Sequence, residues 1–276
     1  MKSAVSIALL LLLSSTLDAQ PRRVPAPVPS APSQLSPFDF PVFLDSTPSN
    51  VESRRVPAGQ PRGDLVSVSR LRIPAKAIRE YERAQKALQQ NDVQASADHL
   101  QKALHIYPDF IQAHNALGVR FIQLGDFQRA LAEYELAESL DPSNALTHQN
   151  LSFALLLLNR NQEAEAEARQ SLDLDSQLVT SRYVLGRAVI AQAHATPEAI
   201  EMLRSSESAF PDASLVLAQI HFAMGQTDET IVDLRHYLRA PLNADNKQKA
   251  ECWVAQLSRE ATPAGCPAVA TRPSFR

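Results

Sequence analysis

The chain changes its rhythm of apolar and polar positions three times. It opens with an apolar stretch, Ala4 to Leu13, interrupted only by Ser6. From Gln20 to Ala75 the apolar residues follow no helical period, and 11 of the 19 prolines fall there. From Lys76 onward apolar residues recur three and four positions apart, the pattern of helices that bury one face. Turn-forming residues separate these stretches: Asn91-Asp92, Gly125-Asp126, Asn159-Arg160 and Gly225. The pattern predicts an all-α fold built from antiparallel helix pairs. A last period over 245–258, with Ala250, Trp253, Val254 and Leu257, predicts a closing helix, and beyond it the period is lost.

The opening stretch follows Lys2 and is ended by Ser14-Ser15-Thr16, then Leu17-Asp18-Ala19. This layout predicts a secretory signal peptide cut after Ala19. A bilayer span needs about 20 apolar residues, and this run is roughly half that, so no integral span is expected after cleavage. No Cys follows it to carry a lipid anchor. The expected organisation is a signal peptide over 1–19, a Pro-rich tether over 20–75, a helical array over 76–258 and a flexible tail over 259–276. The destination is exported, periplasmic or extracellular.

Proline lacks a backbone donor and biases its predecessor away from helix. Arg22 to Pro37 therefore reads as an extended, solvated tether, and the N-terminal segment as largely disordered. Two pieces stand out within it: the aromatic cluster Phe38 to Leu44, and Asp64 to Ile73, which alternates like an extended docking segment. Both suit packing against the first helices, and the cluster also suits a short linear motif for a partner.

The helical part repeats. Pro108 and Pro142 are 34 residues apart, and the clearest unit runs from Ile111 to Asn144. It contains His114, Leu117-Gly118, Phe121, Gly125-Asp126, Ala130-Leu131, Tyr134, Ala137 and Pro142. Leu117 and Phe121, four apart, share one helical face. Gly118 and Ala130 are small where helices cross, and Pro142 stops the second helix. This spacing resembles the tetratricopeptide repeat family over roughly residues 76–244. The unit before it, Ala77 to Phe110, keeps Ala84, Ala103-Leu104 and Pro108. Ala145 to Leu178 keeps His148, Leu151-Ser152, Leu155, Ala164 and Ala168, with Ser176 in place of the closing Pro. The fourth unit shows about one extra residue near His194 to Pro197, and the fifth a short first helix. The resemblance implies a right-handed superhelical solenoid of about five units, a capping helix and a concave groove. Such repeats cannot bury their faces alone, and five with a cap are enough.

The family geometry also implies which residues line the groove. Carried onto this chain they are Asn115, Val119, Ile122 and Gln123, then Gln149, Phe153, Leu156 and Leu157, then Tyr183, Arg187 and Ile190, and finally Phe222. If exposed, the apolar middle of this set marks a partner site; alternatively it packs inside the array or against the tether. Some relatives clamp a partner's C-terminal carboxylate, but the Lys of that clamp is missing here. Arg187 is the groove charge expected to matter.

Charge and chemistry narrow the reading. Residues 20–75 carry seven Arg against four acidic residues, and residues 76–276 carry 19 basic against 25 acidic. A mildly acidic folded part argues against nucleic acid, which calls for a basic stripe. There is no HExxH, CxxC, phosphate loop or GxSxG, and no two His lie three or four apart. No enzyme activity, metal or cofactor is expected. His114 and His148 occupy the same repeat position and read as scaffold, and Glu163, Glu165 and Glu167 as a solvated face. Cys252 and Cys266 suit either a disulfide, in an oxidising compartment, or a buried helical thiol and an unrelated tail thiol. The function expected is a protein-interaction scaffold or adaptor of the bacterial cell envelope. The alternative is a periplasmic holdase or assembly factor for apolar clients of a secretion, pilus or outer-membrane machine. The partner is a protein or peptide, and self-association through the groove or cap stays open.

Overall fold

The computed structural model describes residues 73–259 together with Cys266. The stretch 1–72, with the expected signal peptide, nearly all of the tether and the Phe38 to Leu44 cluster, lies outside the described residues, as does the tail beyond Arg259 apart from Cys266. Among the described residues there are eleven helices and no strand. They are α1 Ala75–Gln89, α2 Val93–Ile106, α3 Ile111–Gln123, α4 Phe127–Leu140, α5 Ala145–Leu157, α6 Asn161–Leu174, α7 Val179–Ala191, α8 Pro197–Ser206, α9 Asp212–Ala223, α10 Thr227–Tyr237 and α11 Ala244–Ser258. The first ten pair into five antiparallel hairpins, and α11 packs on α10.

Local chemistry starts and turns these helices. The Asp92 carboxylate accepts from the Ala95 N–H at 2.9 Å, and Asp126 from Arg129 N–H at 3.2 Å. Asn144, Thr196 and Asn243 cap α5, α8 and α11 in the same way, with Pro197 at the first position of α8. Within each hairpin one residue enters the left-handed region: Asn91, Gly125, Asn159, Ala193 and Gly225, with φ between 57° and 78°. The first four are spaced by 34. Gly and Asn tolerate that conformation, whereas Ala193 has no such help.

Close helix approach explains the small residues. A Cβ on Gly118 would lie 2.6 Å from Tyr134 Cζ, and one on Gly186 would lie 2.9 Å from the Ala199 carbonyl oxygen. One period after Gly118 and Tyr134 stand Ser152 and Ala168. The volume removed from the second helix there leaves room for the side chain on the first.

Two departures from the period differ from expectation. The hairpin connection is three residues in the first three units but five, Gln192 to Thr196, in the fourth. The insertion is thus two residues, offset by an α8 of 10 residues where α2, α4 and α6 have 14. In the fifth unit the second helix is the shortened one, with α10 at 11 residues and α9 at 12.

The first helices also pack on one another, α3 on α5 and α5 on α7, while the second helices meet no neighbour of their own kind to that extent. The first helices therefore form the inner, tighter side of the curve. One apolar cluster runs through the first four units, and a second joins Leu215, Ala218, Leu234 and Tyr237 to Trp253 and Val254 of α11.

Candidate protein-interaction groove

Because α3, α5 and α7 repeat in phase, the expected lining residues fall into rows 34 residues apart. Asn115, Gln149 and Tyr183 form one row; Val119, Phe153 and Arg187 the next; Ile122, Leu156 and Ile190 the third. Each row crosses three inner helices. Within a helix the members are four and three apart, so they share one face.

These rows are not an open lining. All nine residues are buried, with Phe153 at 2 % and Leu156 at 6 % exposure. Gln123 and Leu157, at the rim, are half-buried, and only Phe222 of the expected set is exposed, at 40 %. Phe222 lies apart from the rows, edge-on to Trp253 of α11 at 5.4 Å.

Several row members are already engaged within the fold. Asn115 Nδ2 donates to Thr147 Oγ1 at 2.9 Å and Asn115 Oδ1 accepts from Asn150 at 3.3 Å, which ties α3 to α5. The Tyr183 ring stacks on Phe210 at 4.2 Å, and its hydroxyl donates to Asp212. Arg187 Nη1 donates at 2.8 Å both to the Tyr183 hydroxyl oxygen and to Asp212 Oδ2. Burial pushes the Tyr183 phenol well above its ordinary value, partly opposed by Arg187. Burial works against the Arg187 charge, but Tyr183 and Asp212 more than compensate and hold it charged. The groove charge expected at Arg187 is thus spent on joining α7 to α9. Sequence reasoning missed this partner because Asp212 lies 25 residues away at a unit boundary.

The histidines carry a repeated device. His114 Nδ1 lies 2.7 Å from Glu133 and its Nε2 2.7 Å from the Pro108 carbonyl oxygen. His148 does the same with Glu167 at 2.7 Å and the Pro142 carbonyl at 2.9 Å. All three partners recur at 34. Two acceptors facing two ring nitrogens favour the doubly protonated ring. At His114 burial opposes that form, and the bonds to Glu133 and Pro108 outweigh it, raising the pKa. At His148 burial is likewise outweighed by Pro142 and Glu167.

The run Glu163, Glu165, Glu167 differs from a purely solvated face. Glu163 pairs with Arg160, Glu165 with Arg169 and Gln192, and Glu167 with His148. Glu138 joins His148 and Glu167 in a group whose potential ligand atoms lie within 4.8 Å of one another. The same histidine bonds recur at His114, where Leu104 stands in place of Glu138, so hydrogen bonding accounts for the arrangement without an ion. Cys252, buried on α11, and Cys266 are joined by a disulfide with their Cα atoms 5.5 Å apart.

Comparison with known proteins fits this geometry. Residues 111–144, the most regular hairpin, match the model of the tetratricopeptide repeat. The chain is a tetratricopeptide-repeat protein. A stretch of 85 residues is 34 % identical to mouse (Mus musculus) Tetratricopeptide repeat protein 16; it covers 31 % of this chain but only 11 % of that protein's length. Among solved structures, this repeat protein is similar to PilW, a widely conserved type IV pilus biogenesis factor (TM-score 0.58, 20 % identity, 67 % of this chain and 87 % of that one). It is also similar to pilF of Pseudomonas aeruginosa (0.58, 19 %, 67 % and 86 %) and to MamA (0.51, 18 %, 59 % and 91 %). At these identities the likeness is one of fold.

Proposed function

We propose that this repeat protein is a non-enzymatic interaction scaffold of the cell envelope that takes an extended segment of a partner protein along the rows of its inner helices. The observation that carries this reading is the in-phase alignment of Val119, Phe153 and Ile122, Leu156, Ile190 across three hairpins. An extended chain offers side chains at regular intervals, which a periodic apolar surface can match. The apolar run at Ala4 to Leu13 and the Cys252–Cys266 disulfide both support an exported, oxidising location.

In-cell crosslinking and affinity purification test it, comparing the full chain with a Gln123→Arg/Leu157→Arg variant. Both substitutions lie at the half-buried rim, where they leave the core intact. One dominant partner, lost in the variant, is the expected outcome; an unchanged profile would remove the inner helices from consideration. A second reading, a holdase or assembly factor for apolar clients, draws on the exposed Phe222, Met224 and Val232 near the C-terminal end. It predicts many clients, retained in the rim variant and lost in Phe222→Ser/Met224→Ser.

A further inference from the structure

Helix α5 is buried all round. Ten consecutive residues, Thr147 to Leu156, are buried, nearly three full turns. A helix in that state is covered on every side. The helices packed against α5 are α3, α4, α6 and α7. Two of these flank it in the inner layer and two back it from the outer layer, which leaves the face bearing Gln149, Phe153 and Leu156 without a helix over it. The neighbouring faces of α3 and α7 are in the same condition, with Val119 at 1 % and Ile190 at 5 % exposure. The cover fades at both ends of the array: Gln85 of α1 is half-buried, Gln89 is exposed, and so is Phe222 of α9.

We infer that the covering element is this chain's own segment Phe38 to Leu44, lying across α3, α5 and α7 as an internal ligand of the groove. The inference rests on the groove reading above and adds what occupies it. Three inner helices at ordinary packing distances span about 20 Å, and seven extended residues span about 23 Å. Pro41 keeps the segment out of a helix, and Phe38, Phe40, Val42 and Phe43 supply apolar side chains to rows made of Val119, Ile122, Phe153, Leu156 and Ile190. Asp39 and Asp45 bring negative charge to an inner layer whose α3 holds the buried cation Arg120. The reach is ample, because the chain between Asp45 and Ile73, where the residue preceding α1 packs on the core, extends to about 90 Å. A partner then reaches the rows only by displacing this segment, so the groove is closed at rest.

The test places a photo-crosslinking phenylalanine analogue at Phe40 in the full exported chain and maps the adducts by mass spectrometry across a hundred-fold range of protein concentration. The expected adducts fall on α3, α5 or α7 within a single chain, with a yield independent of concentration. Adducts that appear only as crosslinked dimers identify a second copy as the occupant, and adducts elsewhere on the array remove the segment from the groove; either overturns the inference. A Phe38→Ser/Phe40→Ser/Phe43→Ser variant, altered only outside the described helices, gives an independent measure. Its groove should bind an apolar fluorescent dye on the order of three-fold more strongly than the parent, and no rise would contradict the inference. Capture of the partner separates the two ideas: intramolecular adducts with no partner in parent or variant retain the internal ligand and reject the scaffold reading.

Discussion

The middle of the array and its C-terminal end solve the same packing problem by different means. From α3 to α7 the chain keeps a strict period of 34, and every device recurs with it: a His between a Glu and a Pro carbonyl, a left-handed turn residue, a small residue under a large one. The inner helices there bury three of their sides against neighbours and need a cover for the fourth. From α9 to α11 the period fails. The second helix is short, Met224 and Val232 stay exposed, and a separate cluster around Trp253 takes over. There a disulfide from Cys252 to Cys266 supplies the constraint that repetition supplies in the middle. Periodic packing lets each unit template the next, whereas a terminal unit has no successor and needs another kind of closure.

The sharpest way to break the middle is Gly118→Ala. The added methyl meets the Tyr134 ring, and overpacking of this kind costs about 3 kcal/mol; equilibrium unfolding in urea measures it. Pairing it with Tyr134→Ala recreates the small-on-small arrangement found at Ser152 and Ala168, and the double variant should lose less than the sum of the two. The matching change at the end, Gly225→Ala, meets nothing in space, so its cost is only that of a positive φ, about 1–2 kcal/mol. Equal losses at the two glycines would erase the distinction drawn between the regions.

Reduction of Cys252–Cys266 is the next largest perturbation, about 2–3 kcal/mol for a loop of this length. It should act locally. Hydrogen exchange in α10 and α11 should accelerate under reductant while α3 to α6 stay protected, and uniform acceleration would show one cooperative array instead.

The smallest effect concerns the paired histidines. Their folded pKa values lie above the ordinary value of unfolded histidine, so their contribution is fully present below that value and is lost as pH rises through the folded pKa. The urea midpoint should therefore fall between pH 6 and pH 8.5, and His114→Gln/His148→Gln should flatten that part of the profile. A variant with the parent's full pH dependence would assign it to other groups.

Much of the fold was legible because packing volumes repeat: Leu117, Gly118, Phe121, Ala130 and Tyr134 mark one hairpin, and their echoes mark its neighbours. The histidine device was also written in the sequence, since His, Glu and Pro all recur at 34, but only the folded hairpin shows that Glu133 and Glu167 turn inward. The insertion after Ala193 was visible as a disturbance, though its size was masked by the shorter α8.

What the sequence by itself determined is the period, the helix pairing and the phase of the inner rows, because these follow from local spacing and residue size. Whether those rows face water was decided only in the tertiary structure. Exposure is a property of everything packed around a side chain, and for Phe153 that includes helices one period away on each side. The same holds for Arg187, whose charge looked available until Asp212 of α9 was brought against it, and for Cys252, whose partner depends on where α11 comes to rest.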